Sequence, residues 1–214
     1  MGYRIITTVV TPASSQRLAS LDDVKAELGI TDATQDALLG RLIDVCSAAA
    51  AQFCDRVFPL ETVKDEVWPD REPHGCQVLP GIHVLQLSRW PVGTVASVTE
   101  NGDPLTDGVG YRVDPVVGQV HRFDASGYPC PWRAWPLAVE YEAGYAAVPL
   151  DVQDAVIRLV RARYFAKGRD PYLRSESIEG VRSASWWVPT GTDAAAMPPD
   201  VADILSNYRQ PQVR

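Results

Sequence analysis

The spacing of apolar residues changes twice along the chain, from a helical period to a period of two and back again. Leu21, Val24 and Leu28 recur on one side of a helix spanning Leu21–Leu28. Ser20, with Asp23 three residues on, supplies a capping-box start, and Gly29 a stop. A second helix is predicted over about 35–57, where Leu38, Leu39, Leu42, Ile43, Cys46, Ala50, Phe53, Cys54 and Val57 keep helical spacing. The run Ala48, Ala49, Ala50, Ala51 lacks bulk, so another element can approach closely there. Between Pro59 and Gly144 short alternating stretches predict strands at 63–68, 83–87, 94–100, 111–114, 118–123 and 137–141. Asn101-Gly102 is the clearest hairpin signal among the turns that separate them. Leu137, Val139, Tyr141 and Ala143 line one face of the last strand, which ends at Gly144. Pro149 then opens a helix over 150–166, with Asp151 and Asp154 at its positive end and Arg161, Arg163 and Lys167 at its negative end.

These patterns predict an α+β fold in which a helical core carries an inserted antiparallel β-sheet subdomain. Residues 1–58 form the N-terminal segment and helices, 59–145 the inserted sheet, 146–168 the core helix and 169–214 an extended arm. Gly168 at its border and Pro171, Gly180, Pro189 and Gly191 within it break every pattern, so the arm reads as a loop until a short helix over 199–208.

Composition narrows the class. A chain of 214 residues with 46% hydrophobic positions can fill one core, or a core with a large insertion. No run of apolar residues reaches the roughly 20 needed to cross a bilayer, so no membrane role is expected. The first ten residues lack a signal-peptide pattern, and Ile6 stands where a myristoylation motif needs Ser or Thr. The cytoplasm is the expected compartment, which favours reduced, structural roles for Cys46, Cys54, Cys76 and Cys130 over two disulfides. Net charge is −7, concentrated in the middle: residues 58–149 hold 6 Lys or Arg against 12 Asp or Glu, whereas residues 150–214 hold 9 against 8. That balance argues against a surface that grips nucleic acid.

The metal-binding possibility is Asp70-x-Glu72-x-His74-x-Cys76, whose types suit zinc but whose flanking Pro69, Pro73 and Gly75 suit an exposed loop better. No Walker, Gly-x-Ser-x-Gly, Cys-x-x-Cys or His-Glu-x-x-His motif occurs. Glu140 and Glu142 share one strand face, as paired carboxylates would for acid/base work, but read more simply as solvated. Catalytic, cofactor and metal sites are therefore not expected. Tyr172, Ile178, Val181, Trp186 and Trp187 stand out instead, as aromatic and apolar residues in an arm too irregular for its own core; they either fold back onto the domain or anchor a partner.

The order Leu21-Asp-Asp-Val-Lys-Ala-Glu-Leu28, Asp36-Ala-Leu-Leu-Gly-Arg-Leu-Ile43, Val139-Glu-Tyr-Glu-Ala-Gly-Tyr145, Glu176-x-Ile-Glu-Gly-Val181 and Pro198-Pro-Asp-Val-Ala-Asp-Ile-Leu205 resembles head–tail connector (adaptor) proteins of long-tailed phages. The resemblance implies a structural virion protein of the neck. Such a protein assembles as a ring, typically dodecameric, between the portal protein and a tail-side stopper or tail-completion protein, and leaves a channel through which DNA passes without specific binding. It implies that the arm faces the portal or a neighbouring subunit, through Tyr172, Ile178, Val181, Trp186, Trp187, Ile204, Leu205, Tyr208 and Arg209. The long strand-rich insertion departs from shorter helical members. An acidic lining suits sliding DNA, so Glu61, Asp65, Glu66 and Asp70 are expected to face the channel. Another neck or tail-completion protein, or a small α+β enzyme or ligand-binding domain using His83, His121 or Glu140, are the alternatives.

Overall fold

The computed structural model describes residues 3–69, 82–167, 175–178, 182–185 and 197–209. The fold is α+β, with four helices and ten strands among these residues. It divides into two units, one of Met1–Ser14 with Pro59–Ala147 and the other of Ser15–Phe58 with Val148–Arg214.

The first unit is built on two antiparallel sheets. A five-stranded sheet runs in the order β1 (Tyr3–Thr11), β2 (Glu61–Pro69), β8 (Leu137–Ala143), β4 (Val92–Glu100) and β5 (Asp103–Pro104). A three-stranded sheet runs β3 (Val84–Gln86), β7 (Gln119–Arg122), β6 (Tyr111–Asp114). Alternation decides the faces: Leu137, Val139, Tyr141 and Ala143 of β8 are all buried, as are Val63 and Val67 of β2. With Leu85, Leu87, Val98 and Val120 they form one core that both sheets share. The Asn101-Gly102 turn closes the β4–β5 hairpin with φ of 52° and 90°, the two positive values that a two-residue hairpin of this twist demands.

The sequence reading assigns no strand to residues 3–11, yet β1 pairs with β2 along its length, from Tyr3 opposite Pro69 to Thr11 opposite Thr62. The first fourteen residues therefore belong with the sheet unit. The strand escapes a periodicity search because it is a β-branched run, Ile-Ile-Thr-Thr-Val-Val, with little alternation of polarity.

The second unit packs α2 (Asp36–Cys54) and α3 (Leu150–Phe165) together, with α1 (Leu21–Leu28) and α4 (Pro199–Ser206) against them. Ser20 caps α1 as its pattern predicts: its hydroxyl accepts from the Asp23 backbone N–H at 3.1 Å, and Gly29 closes the helix with φ of 68°. By length and composition α2 is apolar enough to span a bilayer, but Leu39, Ile43, Cys46, Ala50 and Cys54 lie in this unit's own core. Val152, Val156 and Val160 of α3 and Val201 and Leu205 of α4 complete it.

The arm also differs from the expected loop. β9 (Ser175–Ile178) and β10 (Arg182–Ser185) form an antiparallel hairpin that is a sheet of its own, with Ser175 opposite Ser185 and Ile178 opposite Arg182.

Candidate functional site

Two clusters hold side chains that the sequence marks as functional. The first lies inside the sheet unit. Parity along β2 places Glu61, Val63, Asp65 and Val67 on the same, inward face. Asp65 is fully buried, and its carboxylate accepts four hydrogen bonds: the Thr7 hydroxyl at 2.7 Å, the Ser88 hydroxyl at 2.7 Å, the Ser88 backbone N–H at 2.8 Å and the Tyr141 hydroxyl at 2.8 Å. Burial, and then the neighbouring Asp65 charge, push the Tyr141 phenol well above its ordinary range, so it stays a donor. Its oxygen in turn accepts from the Arg89 N–H at 3.2 Å. Glu61 pairs with the Arg89 guanidinium at 2.5 Å and accepts from the Ala13 N–H at 3.4 Å.

This geometry corrects the expectation of a channel lining for two of its four residues. Glu61 and Asp65 are acceptors for their own unit and offer no free charge to a passing polyanion. Glu66, on the opposite face of β2, is half-exposed and joined to Lys64 at 2.7 Å. Asp70 lies outside the described residues, as do Glu72, His74 and Cys76 of the metal-type motif. His83 flanks β3 and His121 sits in β7 opposite Val84. Glu140 and Glu142 stand on the outward face of β8, where Glu142 accepts from the Thr94 N–H at 3.2 Å. The structure does not bring these histidines and glutamates to one hydrogen-bonded site.

The second cluster is the C-terminal helix. Leu205 is completely buried, and the Cys54 thiol donates to its carbonyl at 3.4 Å. Burial raises the Cys54 pKa to about 11 and shifts Cys46 in the same direction. Tyr208 packs its ring on Phe58 with centroids 5.8 Å apart, and its hydroxyl donates to the Asp151 carboxylate at 2.8 Å, in the first turn of α3. The Arg209 guanidinium lies over the Phe53 ring, 5.5 Å from its centroid. Leu205 is thereby corrected from an interface anchor to a core residue, because α4 covers the end of α2 with its apolar side. Ile204 is half-buried beside it. Ile178 stands in β9 opposite Arg182, while Tyr172, Val181, Trp186 and Trp187 lie outside the described residues.

Sequence reasoning missed the exposed apolar side chains, which each unit carries separately. Ile6, Val9 and Val10 of β1 are exposed, as is Trp68, which sits opposite Arg4 in β2. Leu150 and Phe165, at the two ends of α3, are 81% and 64% exposed. An open groove of about 610 Å³ runs over α3 between Ile157, Ala162 and Phe165, rimmed by Glu27 paired with Arg161 at 2.7 Å and by Arg158 between Asp154 and Asp200. Val116, 73% exposed, tips the β6–β7 turn, which the Asp114 carboxylate stiffens by accepting from the Val116 and Val117 N–H groups. Apolar residues held outward on rigid elements are the material of protein–protein contacts. Periodicity could not single them out, because β1 and the turns carry no contrast between faces.

Comparison with known proteins gives these surfaces a context. The family model for head completion proteins matches residues 17–211. A chain in a structure of the neck of an empty gene transfer agent (GTA) particle, computed with C6 symmetry, is similar in fold with a TM-score of 0.56 and 16% identity, over 98% of this chain and 97% of that one. A chain of the native GTA virion gives 0.55 at 16% identity, and one from the native GTA neck with C12 symmetry 0.51 at 17%, over the same shares. No curated protein matches.

Proposed function

The chain belongs to the head completion protein family, and on that footing we propose that it is a structural protein of a virion neck, a ring-forming adaptor between the portal and the tail-side neck proteins. The observation that carries this reading is the fold likeness to GTA neck chains across nearly the whole length of both partners, together with the family match. C6 and C12 symmetry in those particles supports a homo-oligomeric ring here, of the dodecameric size expected for connectors. The work of such a protein is positional rather than catalytic: it holds contacts on two sides and leaves a passage between them.

The electrostatics fit a passage better than a grip. Net charge is −7, and the exposed cations described above, Arg158 and Arg161, are matched by carboxylates within the groove they line. DNA would then move through the ring without phosphate contacts that hold it. The portal-facing and subunit-facing surfaces are assigned to the arm between Pro171 and Trp187 and to exposed residues of α3, with Ile204, Tyr208 and Arg209 contributing only from the margin of α4.

The test is to purify particles from the producing host and to follow this chain by mass spectrometry and labelled-antibody electron microscopy. The expected result is a fixed copy number per particle and a label at the head–tail junction. Deleting its gene is expected to give filled heads without attached tails. Label on the capsid surface or the tail tip, or tailed particles in the deletion, would overturn the reading.

A further inference from the structure

Two pieces of β-structure in this chain are left open in complementary ways. The five-stranded sheet ends on β1, nine residues long, and among the described residues no strand pairs with its outer edge. Natural edge strands are usually guarded by lysine, proline, bulges or brevity. The opposite side of the same sheet shows such guarding: β5 covers Thr99 and Glu100, the β4–β8 register breaks twice between Val92 and Ser97, and the Thr94 N–H is taken by the Glu142 carboxylate. β1 has no lysine, proline or acid, and exposes Ile6, Val9 and Val10. Its one guard is the register shift between Val9 and Thr11, which leaves Tyr3–Val9 as a regular acceptor edge.

The β9–β10 hairpin is the converse. Four residues on each strand, mostly serine and alanine, form a two-stranded sheet that among the described residues pairs with no other strand. A hairpin of that size gains little stability alone and normally needs a third strand. Its tethers are long: eight residues from Lys167 to Ser175 can span at most ~27 Å, and twelve from Ser185 to Met197 about 40 Å. The hairpin is thus able to reach beyond its own chain.

Charge selects which strand meets which. Arg4 is the single charge on β1, exposed and in no ion pair among the described residues; Glu176 is the single charge on β9, likewise exposed. β10, Arg-Ser-Ala-Ser in sequence, holds no acidic residue to meet Arg4. We propose that β9 of one copy adds to the β1 edge of a neighbouring copy, extending its sheet by the hairpin, with Arg4 beside Glu176. The occupant of the edge is therefore a second copy of this chain. The contact joins unlike surfaces, so repetition closes a ring when the rotation permits. It rests on the ring reading above. One added strand is small against the ~1,200 Å² of a stable interface, so the contact holds only where a whole ring reinforces it.

The experiment replaces the wild-type gene in the producing host by Arg4→Cys with Glu176→Cys, purifies particles, oxidises them mildly and resolves them on a non-reducing gel. A reductant-sensitive ladder of multimers of this chain is expected, absent from either single variant and from wild type. Monomer alone at normal copy number, a dimer band without higher species, or a disulfide to a different protein each overturns hairpin exchange while leaving the neck reading intact. Absence of the wild-type chain from particles overturns both. Charge reversal is the second arm: Arg4→Glu and Glu176→Arg should each lower incorporation several-fold, and the double reversal should restore it. Wild-type incorporation of both single variants would contradict the proposal even if the cysteine pair failed to fold.

Discussion

Asp65 shows how one residue can look like a surface charge and act as a structural hub. Three hydroxyls and a backbone N–H converge on it, from β1, from the 88–89 turn and from β8. Removing the carboxylate leaves those buried donors without an acceptor, and unpaired buried polar groups cost more than the bonds themselves gained. Asp65→Ala is expected to destabilise the sheet unit by about 3–5 kcal/mol in urea denaturation, with Asp65→Asn milder because the amide oxygen still accepts. A loss under about 1 kcal/mol would mean that the four contacts are incidental. The residue's place was legible in principle: Val63, Asp65 and Val67 share parity, so an acid between two valines on the inward face announces a buried carboxylate. Reading net charge by segment instead of by face concealed it. At the same scale, the raised Cys54 pKa of about 11 keeps this thiol protonated near neutrality. Peptide-level mass spectrometry after alkylation at pH 8 should find Cys54 protected until denaturant is added.

Among the elements, those with strong local chemistry were readable and those fixed by distant partners were not. Ser20, Asp23 and Gly29 specify α1 within ten residues, and Asn101-Gly102 specifies its hairpin within two. β1, by contrast, finds its partner some sixty residues downstream, and the assignment of strands to two sheets depends on pairings that no local window contains. Half of the arm hairpin's strand residues are serine, and one is apolar and larger than alanine, too little apolar contrast to detect. The C-terminal helix is where burial departs most from the resemblance's expectation, since Leu205, expected at an interface, lies in the helical core. Leu205→Ala should cost about 2–5 kcal/mol through the cavity it leaves beside Cys54. Truncation before Met197, which also removes Val201, should lower the melting temperature markedly; an unchanged melting curve would contradict a core role for α4.

For the whole molecule, the two units are interleaved in sequence. The sheet unit takes its first strand from the N-terminus and the rest from 59–147; the helical unit takes 15–58 and everything after Ala147. This arrangement has a consequence for synthesis on the ribosome. Chains emerge from their N-terminus, so β1 waits for β2, and the five-stranded sheet is complete only once Ala143 is out. The α1 and α2 helices wait longer, with Leu39, Ile43 and Cys46 uncovered until α3 appears and Cys54 uncovered until Leu205 does. A nascent chain that has emerged from the ribosome as far as Ala147 thus carries a finished sheet and an apolar α2 whose partners α3 and α4 are still missing. Of the two halves, the one begun second along the chain is the one that closes last, and it is the half for which chaperone protection during translation matters most.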